Sequence, residues 1–100
     1  MNKTIELQTK SEEEIIDITR DIERAVRESE LEEGLVRAQS LHTTTAITLF
    51  EGEDPNLHND FFEFWRKIIK KGIWEHDKVC PRKNAHAHIK SAIMDPGTTI

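Results

Sequence analysis

The sequence has little cysteine and no long apolar segment. Cys80 is the only cysteine, so an intramolecular disulfide is excluded. A membrane-spanning helix would need about 20 apolar residues in succession, and no such run is present. Residues 1–4 are not followed by the apolar segment of a secretory signal. We therefore expect a protein of the reducing cytoplasm that has no membrane partner.

Positive charge is also scarce. The chain carries 14 lysines and arginines against 19 aspartates and glutamates, a formal net charge of −5 at pH 7. Proteins that bind duplex nucleic acid or anionic membranes present a broad basic surface. The composition therefore predicts no nucleic-acid partner, although a local basic patch is compatible with it.

The motifs of several familiar sites are absent. The sequence lacks the phosphate-binding pattern G-x-x-x-x-G-K-[ST], the dinucleotide pattern G-x-G-x-x-G and the hydrolase pattern G-x-S-x-G. It also lacks the zinc patterns H-E-x-x-H and C-x-x-C. The familiar nucleotide-binding and serine-hydrolase sites are therefore excluded at the level of motifs, and a metal site would need a less usual spacing.

The size of the chain indicates one domain, residues 1–100, with a modest core. The hydrophobic fraction is 36% and the charged fraction 33%, as in a soluble globular protein. A compact chain of 11.6 kDa should expose roughly 5,800 Å² and bury about two-thirds of its unfolded surface.

The first half predicts strands around one helix. Apolar and polar residues alternate over 4–9, as in a half-buried strand. Ser11 and Glu14 have the spacing of a capping box, and isoleucines at helical spacing then predict a helix to about residue 29. The β-branched stretch 35–50 predicts two strands or one long bent strand.

The second half predicts two further helices. Asp54 and Pro55 are typical of a helix start, and an apolar stripe follows that we expect in the core, ending before Gly72: Leu57, Phe61, Phe64, Trp65 and Ile68. Residues 73–80 predict a short strand and 81–83 a loop. Residues 85–94 are ambiguous in period, and we favour a helix after Asn84. A helix would put His86 and Lys90 on the same face, whereas a strand would put His86, His88 and Lys90 on one face. Residues 97–100 favour β structure.

Histidines are the first candidates for chemistry. Of five, three fall at 76, 86 and 88. Catalytic zinc sites combine two or three histidines with a carboxylate and an open position. Each histidine, taken by itself, could instead have a structural role through a hydrogen bond or simply lie at the surface. Glu51 directly follows an apolar stretch, so it could meet His42 and His88 for acid–base work or cation binding.

Two segments together resemble a known family. Residues 41–51 read LHTTTAITLFE and are followed by Asp54-Pro55 and Asp60, and residues 84–91 read NAHAHIKS. In this order they resemble the YjbQ-type family, the secondary thiamine-phosphate synthases, and segments 17–19 and 33–34 match too. Members of that family extend beyond position 100, so the resemblance implies a domain truncated at its C-terminus.

The resemblance implies an α+β fold with mixed, largely antiparallel β-sandwich-like sheets flanked by helices, assembled as a homotrimer. The implied activity joins a pyrimidine-methyl diphosphate to a thiazole phosphate, giving thiamine phosphate and pyrophosphate. The implied partner is therefore a small phosphorylated substrate, with magnesium or zinc as the divalent ion.

The resemblance also implies site residues. The predicted catalytic residues are His42, Glu51, His88 and Lys90; the predicted substrate-binding residues are Thr44, Asn84 and Asp54; the candidate metal ligands are His42, His76 and His88. Lysine and histidine would stabilise the leaving pyrophosphate, and Thr44 and Asn84 would donate to phosphate. Two other functions remain open: a metal-dependent hydrolase of a small phosphorylated compound, and a non-catalytic trimeric protein that binds a ligand or metal.

Overall fold

The computed structural model describes all 100 residues, Met1–Ile100. They divide into two compact units, Met1–Val36 and Arg37–Ile100. Three α-helices, one short 3₁₀ helix and one two-stranded antiparallel sheet make up the secondary structure. The α+β class is thus confirmed. The sandwich-like arrangement of sheets and the single domain stay predictions.

The N-terminal unit contains helix α1, Thr19–Ser29. The Asp17 carboxylate accepts hydrogen bonds from the backbone nitrogen of Thr19 at 2.9 Å and from its hydroxyl at 2.6 Å. Helix starts leave backbone N–H groups without partners, and this carboxylate satisfies one of them. The side-chain bond first, and the backbone bond second, lower the pKa of Asp17. Glu30 ends the helix in the left-handed conformation, with φ of 60°.

The segment before α1 differs from both predictions made for it. Glu14 accepts from the backbone nitrogen of Lys10 at 2.8 Å, and the Ser11 hydroxyl donates to the Glu13 carbonyl at 2.9 Å. The predicted capping box is therefore wrong, because these side chains close a turn and the helix begins only at Thr19. The predicted strand at 4–9 is also wrong, since the alternating residues find no partner strand.

The C-terminal unit holds the sheet. Strand β1, Arg37–Gln39, pairs antiparallel with strand β2, Gly97–Thr99, and places Ala38 opposite Thr98. The β-prone end of the sequence is thus confirmed. The long strand structure predicted over 35–50 is reduced to β1, because hydroxyls beyond it bond locally: Thr45 donates to the His42 carbonyl at 3.1 Å and also contacts the Ser40 hydroxyl.

Helix α2, Pro55–Ile68, begins where the sequence predicts. Its apolar stripe is only partly covered: Phe61 lies 4.9 Å from Phe50 between ring centroids, but no residue of the helix is buried and Phe64 is 54% exposed. The expectation that this stripe forms the core is therefore wrong. The helix ends at Ile68, and the buried Ile69 is its C-cap, whose backbone nitrogen donates to the Trp65 carbonyl at 2.7 Å.

The predicted strand at 73–80 is a 3₁₀ helix, Glu75–Lys78. The strand prediction fails because the Asp77 side chain accepts from the Trp74 backbone nitrogen at 3.3 Å, which closes a tight local turn. A turn at 81–83 and helix α3, Ala85–Met94, follow as predicted. None of the helices is long and apolar enough to cross a membrane.

The buried side chains are few and mostly polar. Ile69 and Ala85 are the buried apolar residues, beside the buried polar residues Asp77, His86 and Ser91. The chain exposes 8253 Å², more than the roughly 5,800 Å² expected for this mass. The buried apolar core is thus smaller than the composition predicts.

Candidate functional site

Two of the candidate histidines lie side by side. His76 is in the 3₁₀ helix and His88 is in α3. Their ring centroids are 5.3 Å apart, and the ring planes meet edge to face at 84°. Asn84, the residue before α3, places its Oδ1 2.9 Å from Nε2 of His76. We name His76, Asn84 and His88, with Thr43, the histidine–amide cluster.

Thr43 fixes the orientation of His88. The Nδ1 atom of His88 lies 3.1 Å from the Thr43 carbonyl oxygen and 3.1 Å from its hydroxyl. A carbonyl oxygen can only accept, so we assign the proton of the neutral ring to Nδ1, which donates to it. The lone pair of His88 is then on Nε2. That nitrogen can accept a proton or bind an electrophile.

Asn84 fixes His76 by the same logic. Its Oδ1 also receives the Cys80 thiol at 3.7 Å, which identifies this atom as a shared acceptor. His76 therefore donates from Nε2 and carries its lone pair on Nδ1. The amide nitrogen of Asn84 keeps its two N–H donors for another acceptor. The cluster thus combines two basic nitrogens with one amide donor.

An open pocket lies beside the cluster. It has a volume of about 420 Å³ and is lined by Trp74, His76, Ala85, His88 and Ile89. Its walls are mainly apolar carbon with two imidazoles among them, and it is open to solvent on one side. The indole nitrogen of Trp74 donates to the Lys70 carbonyl at 2.6 Å, which holds one wall in place.

Other predicted site residues lie outside the cluster. The Glu51 carboxylate accepts from the backbone nitrogen of Glu53 at 2.9 Å, and the Glu51 carbonyl accepts from His58 at 2.9 Å. The His42 ring makes no hydrogen bond, and the Thr44 side chain is exposed and makes none either. The structure therefore does not bring Glu51 or His42 into contact with His88.

Lys90 and Asp54 have other contacts. Nζ of Lys90 lies 3.1 Å from Nδ1 of the buried His86, one helical turn away, as the helical reading of this segment predicts. The Asp54 carboxylate accepts from the backbone nitrogens of Asn56 and Leu57 at 2.9 and 3.4 Å, so it caps α2. Their roles toward a substrate stay predictions.

The donors present do not make a metal site by themselves. The structure contains no group of three or more histidine, cysteine, aspartate or glutamate side chains that could hold a metal ion. His42, His76 and His88 thus do not assemble as a ligand set within one chain. Two imidazoles are fewer than the three protein ligands usual at catalytic zinc. The proposed magnesium or zinc does not fit the residues of a single chain.

Sequence reasoning missed three contributors to this region. Thr43 stands among three consecutive threonines, and nothing in the sequence marks it as the one that contacts His88. Cys80 is a lone cysteine without a partner motif. Trp74 falls in a segment predicted as a strand, and that prediction gives no indication that its side chain lines a pocket. A tight turn predicted over 73–80, in place of a strand, would have indicated where Trp74 lies.

Known proteins are similar to this chain in sequence and in fold. A model of the family described as UPF0047 protein YjbQ-like matches residues 3–100. A UPF0047 protein from Archaeoglobus fulgidus is 40% identical over 89 residues, which are 88% of this chain and 66% of that protein. Another from Methanocaldococcus jannaschii is 34% identical over 95 residues, 95% of this chain and 67% of that protein.

A solved structure agrees with these relatives. The crystal structure of an uncharacterized YjbQ/UPF0047 family protein from Clostridium acetobutylicum matches with a TM-score of 0.84 at 33% identity. The match covers 94% of this chain and 70% of that chain. The present chain therefore spans about two thirds of the length of the relatives it matches.

Proposed function

Since the chain belongs to the YjbQ-like UPF0047 family, we propose that it acts as a thiamine-phosphate synthase-like transferase. The reaction joins a pyrimidine-methyl diphosphate to a thiazole phosphate and releases pyrophosphate. The observation that supports this most is the histidine–amide cluster beside the pocket, where His76, His88 and Asn84 converge.

The cluster suits the departure of pyrophosphate. The bond between the pyrimidine-methyl carbon and the diphosphate oxygen breaks with its electrons on oxygen, and the thiazole nitrogen supplies the pair for the new carbon–nitrogen bond. The negative charge on the leaving oxygens needs donors. In this proposal Asn84 donates from its free amide N–H groups, and His88, once protonated at Nε2, donates from that atom.

Assembly is part of the same proposal. The Glu51 side chain is exposed, and its carboxylate bonds only to the backbone nitrogen of Glu53. In a homotrimer with sandwich-like sheets, the form that the family resemblance implies, exposed residues such as Glu51 and His42 could complete a site on a neighbouring copy. A divalent ion would in that case also draw ligands from more than one chain.

The direct test supplies both substrates to the purified protein. Thiamine phosphate is measured by its fluorescence after oxidation to the thiochrome form, and pyrophosphate is measured separately. We expect product from the natural chain and a loss of about 100-fold or more in kcat/KM for His88→Ala, the usual size of a general acid–base contribution. Asn84→Ala is compared with Asn59→Ala, which removes an exposed amide of α2 that makes no hydrogen bond.

Two outcomes would overturn the transferase. Release of inorganic phosphate from either substrate without a coupled product would indicate a hydrolase. Retention of both substrates unchanged, with measurable binding, would indicate a binding protein. Full activity in His88→Ala would show that the cluster is not the site. Native mass spectrometry of the same sample reports the number of subunits and any retained metal.

A further inference from the structure

Asp77 is a buried carboxylate between the two segments that carry the cluster. Its residue is only 6% exposed. One oxygen, Oδ1, accepts from the backbone nitrogen of Ala85 at 3.1 Å, and the other, Oδ2, accepts from the backbone nitrogen of Trp74 at 3.3 Å. The carboxylate forms no ion pair, so these backbone donors compensate for its removal from water.

We propose that Asp77 is a positioning residue that sets the width of the pocket and the approach of His76 to Asn84. Trp74 and Ala85 both line the pocket, and one carboxylate holds the two. His76 directly precedes Asp77, and Asn84 directly precedes Ala85. Fixing these two backbone positions therefore fixes the donor and acceptor of the His76–Asn84 hydrogen bond as well. That the pocket binds a phosphorylated substrate rests on the proposed function.

A merely structural role makes a different prediction. If Asp77 only stabilised the 3₁₀ helix, its loss would lower the melting temperature and leave the remaining folded molecules with an unchanged pocket. A positioning role requires that the pocket changes in folded molecules. The test must therefore read out the histidine rings and ligand affinity separately from stability.

Asp77→Asn is the most conservative variant. It keeps the shape and one oxygen acceptor, but its NH₂ group cannot accept the second backbone N–H. Asp60→Asn makes the same change at an exposed carboxylate of α2 that has no side-chain partner. Ile69→Val removes one buried methylene outside the pocket and controls for a general loss of stability.

Two measurements are made on these variants. Nitrogen–proton spectra of the imidazoles report the tautomers of His76 and His88. Calorimetry with inorganic pyrophosphate reports binding. In Asp77→Asn we expect the His76 ring signals to shift and the affinity for pyrophosphate to fall by about 10- to 100-fold, the usual effect of losing one hydrogen bond to a charged group. Neither control should do so.

The proposal is overturned if Asp77→Asn melts at a lower temperature but keeps the ring signals and the pyrophosphate affinity. If the natural chain binds no pyrophosphate, the proposed function fails while the ring signals still test Asp77. If Asp77→Asn does not fold, the proposal is tested on the natural chain instead. A scalar coupling across the hydrogen bond between the Ala85 nitrogen and the Asp77 carboxyl carbon is expected, and its absence refutes the proposal.

Discussion

Replacing Asp54 by alanine should lower the free energy of unfolding, because it removes the two hydrogen bonds that cap the start of α2. The carboxylate accepts one good hydrogen bond, from Asn56 at 2.9 Å, and one long one, from Leu57 at 3.4 Å. Loss of an N-cap of this kind costs about 1 kcal/mol. Loss of negative charge at the helix start adds about 0.3–1 kcal/mol. We expect a total of about 1–2 kcal/mol, or a melting temperature lower by about 4–16 °C.

Three variants separate the two contributions to the cap. Asp54→Asn keeps the acceptor and loses only the charge, so its melting temperature should fall by less than that of Asp54→Ala. Asp60→Ala, an exposed position on the same helix, should cost nothing, because alanine favours the helix. Circular dichroism at 222 nm against temperature measures all three.

The result that would refute this reasoning is specific. If Asp54→Ala melts within about 1 °C of the natural chain, the side-chain bonds to α2 contribute nothing measurable. The same variants examine the predicted substrate role of Asp54. A fully folded Asp54→Asn that loses thiamine-phosphate formation would assign the carboxylate to the substrate, whereas unchanged activity would leave it as a helix cap.

Three further predictions concern other parts of the chain. The hydrogen bond from Lys3, and then its charge, lower the pKa of Glu28. The stability from this pair is therefore present above about pH 4.3, the ordinary glutamate pKa, and is lost as the pH falls through the lower folded value. Urea unfolding of the natural chain and Glu28→Gln should differ at pH 7 and converge in acid; a constant difference would contradict this. A Cβ on Gly97 would lie 2.9 Å from the Ala38 carbonyl oxygen, so Gly97→Ala should speed amide exchange in both strands, and unchanged exchange would exclude the clash. Ser91→Ala leaves a backbone carbonyl without its donor and should cost about 1–3 kcal/mol in urea unfolding; an equal midpoint would show that water replaces the hydroxyl.

The parts of the fold that were predictable from sequence are those with local causes. Asp54 and Pro55 locate the start of α2 because a cap bonds to residues only two and three positions away. Asn84 and the alanines after it locate α3, and the helical spacing then gives the contact between His86 and Lys90. In each case the stabilising partner lies within one helical turn, so a short stretch of sequence contains the whole interaction.

Strands and the site depend on distant partners, and there the sequence was a poorer guide. The alternation over 4–9 is a sound strand pattern, but a strand needs a neighbour to bond with, and none lies there. The same holds for the site. The approach of His88 to Thr43, 45 residues away along the chain, follows from how α3 is placed, and no local pattern encodes it. The sequence therefore identified candidate residues without identifying which of them meet.

The side chains buried around α3 are mostly polar. The buried side chains there include Asp77, His86 and Ser91 together with the apolar Ala85. An apolar contact tolerates a change of shape of similar volume, whereas a buried hydrogen bond is lost when its partner shifts. Ile69→Leu should consequently be milder than any loss of a buried acceptor in this region. Because the polar partners specify position more narrowly than apolar packing does, the segment they hold keeps His76 and His88 in one relative arrangement.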